Sequence, residues 1–158
     1  MNIVVDIADL AVTADPAACL ITHSLGSCIG VTIWDAEAHV GGMIHYMLPE
    51  SALSPAKAKA QPAMFGDSGV PALFRAAYEL GANKKRLVVK VAGGSSLLDD
   101  KGTFNIGKRN YVMLRKMFWK NNILIDGEDV GGQISRTLRL EVGTGRVTIK
   151  TRDGEKEL

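Results

Sequence analysis

The chain is organised around one stretch, Thr22-His23-Ser24-Leu25-Gly26-Ser27-Cys28-Ile29-Gly30. This stretch sets a cysteine in a turn of small residues, between an apolar segment that precedes it and a β-branched segment that begins at Ile29. Small residues permit a sharp bend and a close approach by another molecule. We therefore predict two strands joined at this turn, with the Cys28 sulfur accessible from outside.

A histidine follows the cysteine at a distance that a hairpin would close. His45 lies 17 positions after Cys28. The residues between them are typical of a strand over 29–34, an exposed bend over 35–39 and a returning strand over 40–49 that a proline ends. A thiol and an imidazole brought together in this way are a candidate nucleophile and base.

Each of these two residues also has an ordinary structural explanation. A lone cysteine is most often a small buried side chain, and a histidine in an apolar strand is most often a core residue. Two observations favour chemistry instead. Backbone N–H groups at Gly26 and Ser27 are suited to stabilise the oxyanion of an acyl transfer. Since no Lys or Arg precedes Lys57, a histidine is the one local cation that could lower the pKa of the thiol. We therefore expect Cys28 and His45 to form an ion pair.

A histidine that acts as a base needs a third group to hold its ring. Thr22 and Ser24 both precede the turn and could supply a hydroxyl. The spacing alone does not choose between them.

The rest of the chain predicts a mixed α/β fold in one domain, residues 1–158, with a sheet or a pair of sheets covered by helices on one side. The expected helices are 70–80, with Pro71 in its first turn, and 106–121. We interpret 50–68 as a long loop with room for one helical turn, and 127–132 as a glycine-rich bend. The expected strands are 2–13, with a bend near its aspartates, 19–22, 86–91, 123–125 and a hairpin of 137–142 with 146–150, and the tail, 152–158, is expected to be frayed.

Composition argues against several classes of function. No apolar run reaches the ~18 residues of a membrane span, and the N-terminus lacks the basic segment of a signal peptide, so we expect a cytoplasmic protein without membrane insertion. Cys19 and Cys28 have neither zinc-knuckle nor redox spacing, Cys19 is expected in the core, and Glu128-Asp129 lacks accompanying ligands. We expect no metal, no cofactor and a monomer.

Basic side chains are concentrated in one region of the chain. The net charge is only +2, yet residues 84–120 hold ten Lys or Arg against Asp99 and Asp100. Such a bias suits an acidic partner, although solvated helix and turn faces explain it equally well. Nucleic acid is disfavoured, because the region has few aromatic residues for stacking and no groove-reading motif.

Four ordered motifs give the chain a recognisable pattern. It resembles the CheD family, the chemoreceptor glutamine deamidases of bacterial and archaeal chemotaxis. The resemblance runs nearly end to end through the segments LGSCIG at 25–30, GGMIHYMLP at 41–49, FNIGKRN at 104–110 and EDVGG at 128–132.

This resemblance implies more than the residues alone do. It implies an α/β/β layered sandwich related to cysteine-dependent deamidating toxins, and a catalytic triad of Cys28, His45 and Thr22, which selects Thr22 over Ser24. The implied activity is that of a protein-glutamine glutaminase, which converts receptor glutamines to glutamates through a Cys28 thioester. The implied partners are cytoplasmic helices of chemoreceptors and a CheC-type phosphatase. A non-catalytic regulator that binds such a phosphatase is the alternative.

Overall fold

The computed structural model describes residues 1–97 and 105–158. Phe104 of the third motif and Lys101 of the basic region lie outside these residues. In chain order the helices and strands are β1 (Asn2–Val4), β2 (Asp9–Thr13), β3 (Cys19–Leu25), β4 (Ile29–Asp35), β5 (Val40–Tyr46), α1 (Pro55–Ala60), α2 (Gly66–Glu79), β6 (Val88–Gly93), α3 (Ile106–Lys120), β7 (Gly127–Val130), β8 (Arg136–Glu141), β9 (Val147–Thr151) and β10 (Gly154–Glu157).

The strands form two mixed sheets. The first sheet has the order β1-β3-β8-β9-β10, and the second has the order β2-β5-β4-β6-β7. Neighbours are antiparallel except for β1 with β3 and β6 with β7, which are parallel. Helices α2 and α3 pack on the second sheet, and the first sheet packs on its other face. The predicted layered α/β class is therefore confirmed.

Strand β5 shows how the sequence alternation builds these layers. Ile44 and Tyr46 lie in the apolar cluster shared with α2 and α3, whereas Met43 lies in the cluster between the two sheets. Successive side chains of a strand point to opposite faces. His45 therefore points into the layer between the sheets, where apolar side chains of β3 and β8 are packed.

Several predicted boundaries differ from the structure. Residues 2–13 are split between the two sheets, 50–68 contain α1, and α2 begins at Gly66, so that Pro71 lies inside the helix rather than in its first turn. Residues 123–125 are not a strand. The strand here is β7 at 127–130. Asp126 accepts from Val89 N through its carboxylate at 2.7 Å and donates from its own N–H to Val89 O at 2.8 Å. These two bonds align the chain with β6, so that the strand pairing begins one residue later, with Gly127 opposite Lys90.

The tail is ordered rather than frayed. Residues Gly154–Glu157 form β10, which pairs antiparallel with β9 from Gly154 opposite Thr151 to Glu157 opposite Thr148. Gly154 has a φ of +122°, a conformation that favours glycine and that lets the chain reverse within a short turn. A charged sequence predicts fraying only where no neighbouring strand offers backbone partners, and β9 offers them here.

No helix in the described part of the chain is both long and apolar enough to cross a membrane.

Candidate active site

The register of the β4–β5 hairpin brings the cysteine turn to the histidine. Gly30 is paired with His45, and Ile29 with Tyr46, so that Cys28, one residue before β4, lies diagonally across from His45. Cys28 packs against the apolar cluster between the sheets, the layer into which His45 also points. The predicted hairpin is confirmed, and it places the thiol and the imidazole on one face.

The imidazole is held by a threonine from the opposite sheet. Thr22 Oγ1 lies 2.7 Å from His45 Nδ1 and 2.6 Å from the backbone oxygen of Val5. A hydroxyl has one proton, and the carbonyl of Val5 can only accept, so Thr22 donates to Val5 and accepts from Nδ1–H. This fixes the tautomer and leaves the lone pair of the neutral ring on Nε2.

The second ring nitrogen is unpartnered. His45 is fully buried, and its Nε2 has no hydrogen-bond partner in the described part of the chain. A buried polar atom without a partner is costly, and such atoms are concentrated where chemistry needs them. The ring is therefore oriented as a base with its accepting atom unoccupied.

Ser24, the other hydroxyl that the sequence allowed, is not brought to the ring. It is exposed and has a φ of +59°, within an irregularity of the β3–β8 pairing between Thr22 and Leu25. Of the two hydroxyls, the structure joins Thr22 to His45.

Burial opposes charge on both members of the pair. Desolvation lowers the pKa of His45 from 6.5 to about 4, against a small opposing effect of Asp6. Desolvation likewise raises the pKa of the Cys28 thiol, against an opposing hydrogen bond from its own backbone N–H. Burial therefore works against the expected ion pair, because the same apolar layer that positions both groups favours their neutral forms.

Hydrogen bonds fix the carbonyls of the cysteine turn, whereas two of its N–H groups have no acceptor among the described residues. The carbonyl of Gly26 accepts from Ser95 N at 2.8 Å, and that of Cys28 from Gly94 N at 2.9 Å. The carbonyl of Ser27 accepts from the Asn110 side chain at 2.9 Å. Within residues 1–97 and 105–158, the N–H groups of Gly26 and Ser27 donate to no protein acceptor. An oxyanion hole needs backbone donors that are not already bound to another acceptor.

Asn110 is a site residue that sequence reasoning missed. It is fully buried on α3, and its Nδ2 donates to both Ser27 O and Met47 O at 2.9 Å. Its own carbonyl accepts from the Tyr46 hydroxyl at 2.7 Å. One amide therefore joins the cysteine turn to the end of the strand that carries His45. A polar residue at a buried helical position, within the motif at 104–110, was the available signal.

Arg136 has a structural role that the sequence did not reveal. It is 4% exposed, and its guanidinium donates to Ser95 Oγ at 2.8 Å, Gly131 O at 2.9 Å and Asp129 Oδ1 at 3.1 Å. Since Ser95 N holds the carbonyl of Gly26, this network supports the cysteine turn from behind. It also explains Asp129, whose pKa is lowered, against desolvation, by Lys156 and Arg136.

The remaining candidates lie elsewhere. His23 and His39 are exposed, and Cys19 is half-buried on the outer face of the first sheet, where its Sγ accepts from Arg139 at 3.3 Å, so that its predicted core position is wrong. Glu128 accepts from the Tyr111 hydroxyl. In the described ranges no group of three His, Cys, Asp or Glu could hold a metal ion.

Comparison with known proteins gives a family match. A family model described as "CheD chemotactic sensory transduction" matches residues 47–151. This range holds Asn110 and Arg136 and begins just after His45. Three curated relatives extend the likeness over nearly the whole chain.

The first, from Syntrophus aciditrophicus, is named "Probable chemoreceptor glutamine deamidase CheD 1" and is 53% identical over 153 residues, 97% of this chain and 96% of the relative. A relative from Solibacter usitatus, "Probable chemoreceptor glutamine deamidase CheD", is 49% identical over 99% of this chain and 93% of its own length. A third, "Probable chemoreceptor glutamine deamidase CheD 2" from Anaeromyxobacter dehalogenans, is 48% identical over 96% of this chain and 95% of its own length.

Proposed function

The chain belongs to the CheD family, and we propose that it deamidates specific glutamine side chains of methyl-accepting chemoreceptors to glutamate in chemotaxis adaptation. The observation that carries the proposal is the hydrogen bonding of the His45 ring. Thr22 occupies Nδ1, and Nε2 presents a lone pair in the layer that Cys28 also faces. The names of the relatives support the choice of substrate.

In the first half of the reaction, the Cys28 sulfur attacks the carboxamide carbon while its proton passes to Nε2 of His45. Because the resting pair is neutral, the proton moves as the carbon–sulfur bond forms and not beforehand. The N–H groups of Gly26 and Ser27 donate to the developing oxyanion. His45 then gives the proton to the departing nitrogen, ammonia leaves, and a thioester remains on Cys28.

In the second half, water replaces ammonia. Nε2 of His45 takes a proton from a water molecule that attacks the thioester, and returns it to the leaving Cys28 sulfur. Thr22 stabilises the imidazolium that forms transiently, by accepting from Nδ1–H in both steps. The receptor side chain changes from a neutral amide to a carboxylate.

The same proposal covers location and partners. The protein acts in the cytoplasm as a monomer, on the cytoplasmic helices of chemoreceptors, and a CheC-type phosphatase is a second partner. Regulation of that phosphatase without catalysis is the alternative function. The alternative gives no reason for a buried base whose accepting atom is left without a partner.

The experiment uses a purified cytoplasmic fragment of a receptor from the same organism, incubated with the protein and analysed by peptide mass spectrometry. We expect the mass change of amide-to-acid conversion at particular glutamines, with release of ammonia. Cys28→Ala should lower this rate by about 10⁴-fold or more. The matched control is Cys19→Ala, which removes the other thiol and should leave the rate unchanged.

Two outcomes would contradict the proposal. If wild type leaves the glutamines intact while a CheC-type phosphatase still binds, the regulatory alternative is supported. If the receptor is cut into fragments, the protein is a protease.

A further inference from the structure

A groove runs along the exposed side of α3. It has a volume of about 920 Å³ and is lined by two walls. One wall is α3 itself, through Lys108, Arg109, Lys116 and Lys120. The other wall includes Glu50, which precedes α2 in the chain, and Asp67, which lies in the first turn of α2. A helix of 15 residues is about 22 Å long. The groove is thus long enough for several turns of a partner helix.

The four cations of the groove are unpaired in the part of the chain that the structure describes. None of them is in an ion pair within the described residues, where Arg86, Arg136, Arg146 and Lys156 are all paired. Lys108, Lys116 and Lys120 also lie on one side of the helix, and like charges four positions apart, as at Lys116 and Lys120, destabilise a helix. Unpaired charges gathered in this way are typical of a surface that meets an acidic partner.

The floor of the groove is apolar. Val112, Met113 and Met117 lie between the cations, and Val112 is 38% exposed. An apolar floor with a charged rim fits an amphipathic helix, whose apolar side chains enter while its polar ones meet the rim. Methionines adapt to partners of different shape. Nucleic acid, which needs stacking or a continuous cationic surface, fits this floor less well.

Both walls are attached to the active site. On α3, Asn110 faces inward and binds the carbonyl of Ser27 in the cysteine turn. The opposite wall follows β5, the strand that carries His45, and is fixed by bonds from Asp67 N to Pro49 O and from Ser51 N to Asp67 Oδ1. A helix in the groove would therefore be held by the two elements that hold the thiol and the base.

We propose that this groove is the docking surface for the substrate, and that its occupant is an acidic, amphipathic cytoplasmic helix of a chemoreceptor. The inference deepens the proposed function and rests on it for the identity of the receptor. Docking through the groove would supply affinity and orientation, and the cysteine turn would supply the chemistry.

The test reverses charge in the groove and compares it with an equal change elsewhere. The test variant is Lys116→Glu with Lys120→Glu, and the matched control is Lys150→Glu with Arg152→Glu, two exposed positions on β9 and in the turn that follows it. Binding of the receptor fragment is measured in a Cys28→Ala background, so that it does not depend on turnover. We expect at least about a tenfold loss of affinity for the test variant at low salt and little change for the control.

Kinetics of the same charge variants in protein that retains Cys28 then separate docking from chemistry. The test variant should raise KM for receptor deamidation while kcat and the rate of Cys28 alkylation by iodoacetamide stay unchanged. If receptor binding is equal in the test and control variants, the proposal is wrong, whatever the deamidation assay shows. If duplex DNA binds the wild type as tightly as the receptor fragment does, and the test variant loses both, the groove is a general polyanion site and the proposal is also wrong.

A receptor that binds through the groove but is not deamidated would contradict the proposed function and leave the docking surface supported.

Discussion

The two ends of the β4–β5 hairpin each bury a titratable side chain, and they treat it in opposite ways. At the closed end, Asp35 is fully buried and bonds with the N–H groups of Glu37, Ala38 and Asn83 and with Arg86. At the open end, His45 is equally buried, but one of its two nitrogens has no partner among the described residues. Because the buried oxygens of Asp35 are hydrogen-bonded, the closed end is a structural anchor. Because one buried nitrogen of His45 has no hydrogen bond, the open end is available for chemistry.

The electrostatic states follow the same division. Although burial opposes its charge, hydrogen bonds from Arg86 and from backbone N–H groups hold the pKa of Asp35 at about 2, so that it stays ionised. Burial of His45 has no comparable compensation and lowers its pKa to about 4, so that it stays neutral. One hairpin thus keeps a charge at one end and excludes a charge at the other.

Removing the carboxylate should have the largest effect on folding. We expect Asp35→Ala to lower the free energy of unfolding by about 3–5 kcal/mol, because several donors lose one shared acceptor. Denaturant unfolding measures this. Glu37→Ala is the matched control, since Glu37 also meets Arg86, at 3.4 Å, but is 75% exposed. The control should cost less than about 1 kcal/mol, and equal losses would contradict the account of the closed end.

Stability should depend on pH in two separate ranges. The unfolded chain protonates His45 near 6.5 and the folded chain only near 4, so stability is full above 6.5 and falls as the pH is lowered to about 4. The free energy of unfolding falls by up to about 3 kcal/mol over this range. Asp35 adds a loss below 3.8, as the pH falls toward 2.

Thermal or urea unfolding across this pH range checks the prediction. His45→Asn should remove the dependence of stability on pH between 6.5 and 4, and should leave the loss of stability below 3.8 unchanged. If the variant keeps the full slope between 6.5 and 4, burial of the imidazole is not its cause.

Thr22 should matter for catalysis through its hydroxyl. In Thr22→Val the shape is kept, but Nδ1–H and the Val5 carbonyl lose their partner, so we expect kcat to fall by about 10²-fold. Thr22→Ser should recover most of the rate, and Ser24→Ala should leave it unchanged. A loss in Ser24→Ala as large as in Thr22→Val would contradict the assigned ring partner.

Asn110 should have the smallest of these effects, because it acts through the backbone of the cysteine turn. We expect Asn110→Ala to lower kcat by about tenfold with KM little changed, since the Ser27 carbonyl is no longer fixed. Tyr46→Phe is the control, because it removes a bond to the Asn110 main chain and leaves the side chain in place. Equal effects of the two variants would show that α3 packing, and not the amide, positions the turn.

Local sequence patterns predicted the part of this fold that local rules govern. The alternation in β5 and the spacing from Cys28 gave the hairpin, and α3 followed from its apolar spacing. The failures arise where distant partners decide. Residues 154–157 form a strand because β9 lies beside them, and β7 begins at Gly127 because Asp126 binds Val89.

The site shows the same limit. Spacing found the thiol and the base, and family resemblance selected Thr22, whose contact with His45 spans two sheets. Asn110 and Arg136 could not be found from spacing. The bonds that tie them to the cysteine turn and to its support, from Asn110 to Ser27 O and from Arg136 to Ser95 Oγ, join residues far apart in the sequence. The resting charge state was also beyond the sequence, since burial determines it.

The central claim is that His45 is a neutral base, protonated on Nδ1 and free at Nε2. Nitrogen-15 NMR of histidine-labelled protein measures this directly, with His45→Asn to assign the signals. At neutral pH we expect a protonated Nδ1 and an unprotonated Nε2, with protonation only near pH 4. A ring that is doubly protonated at neutral pH, or that carries its single proton on Nε2, would contradict the account.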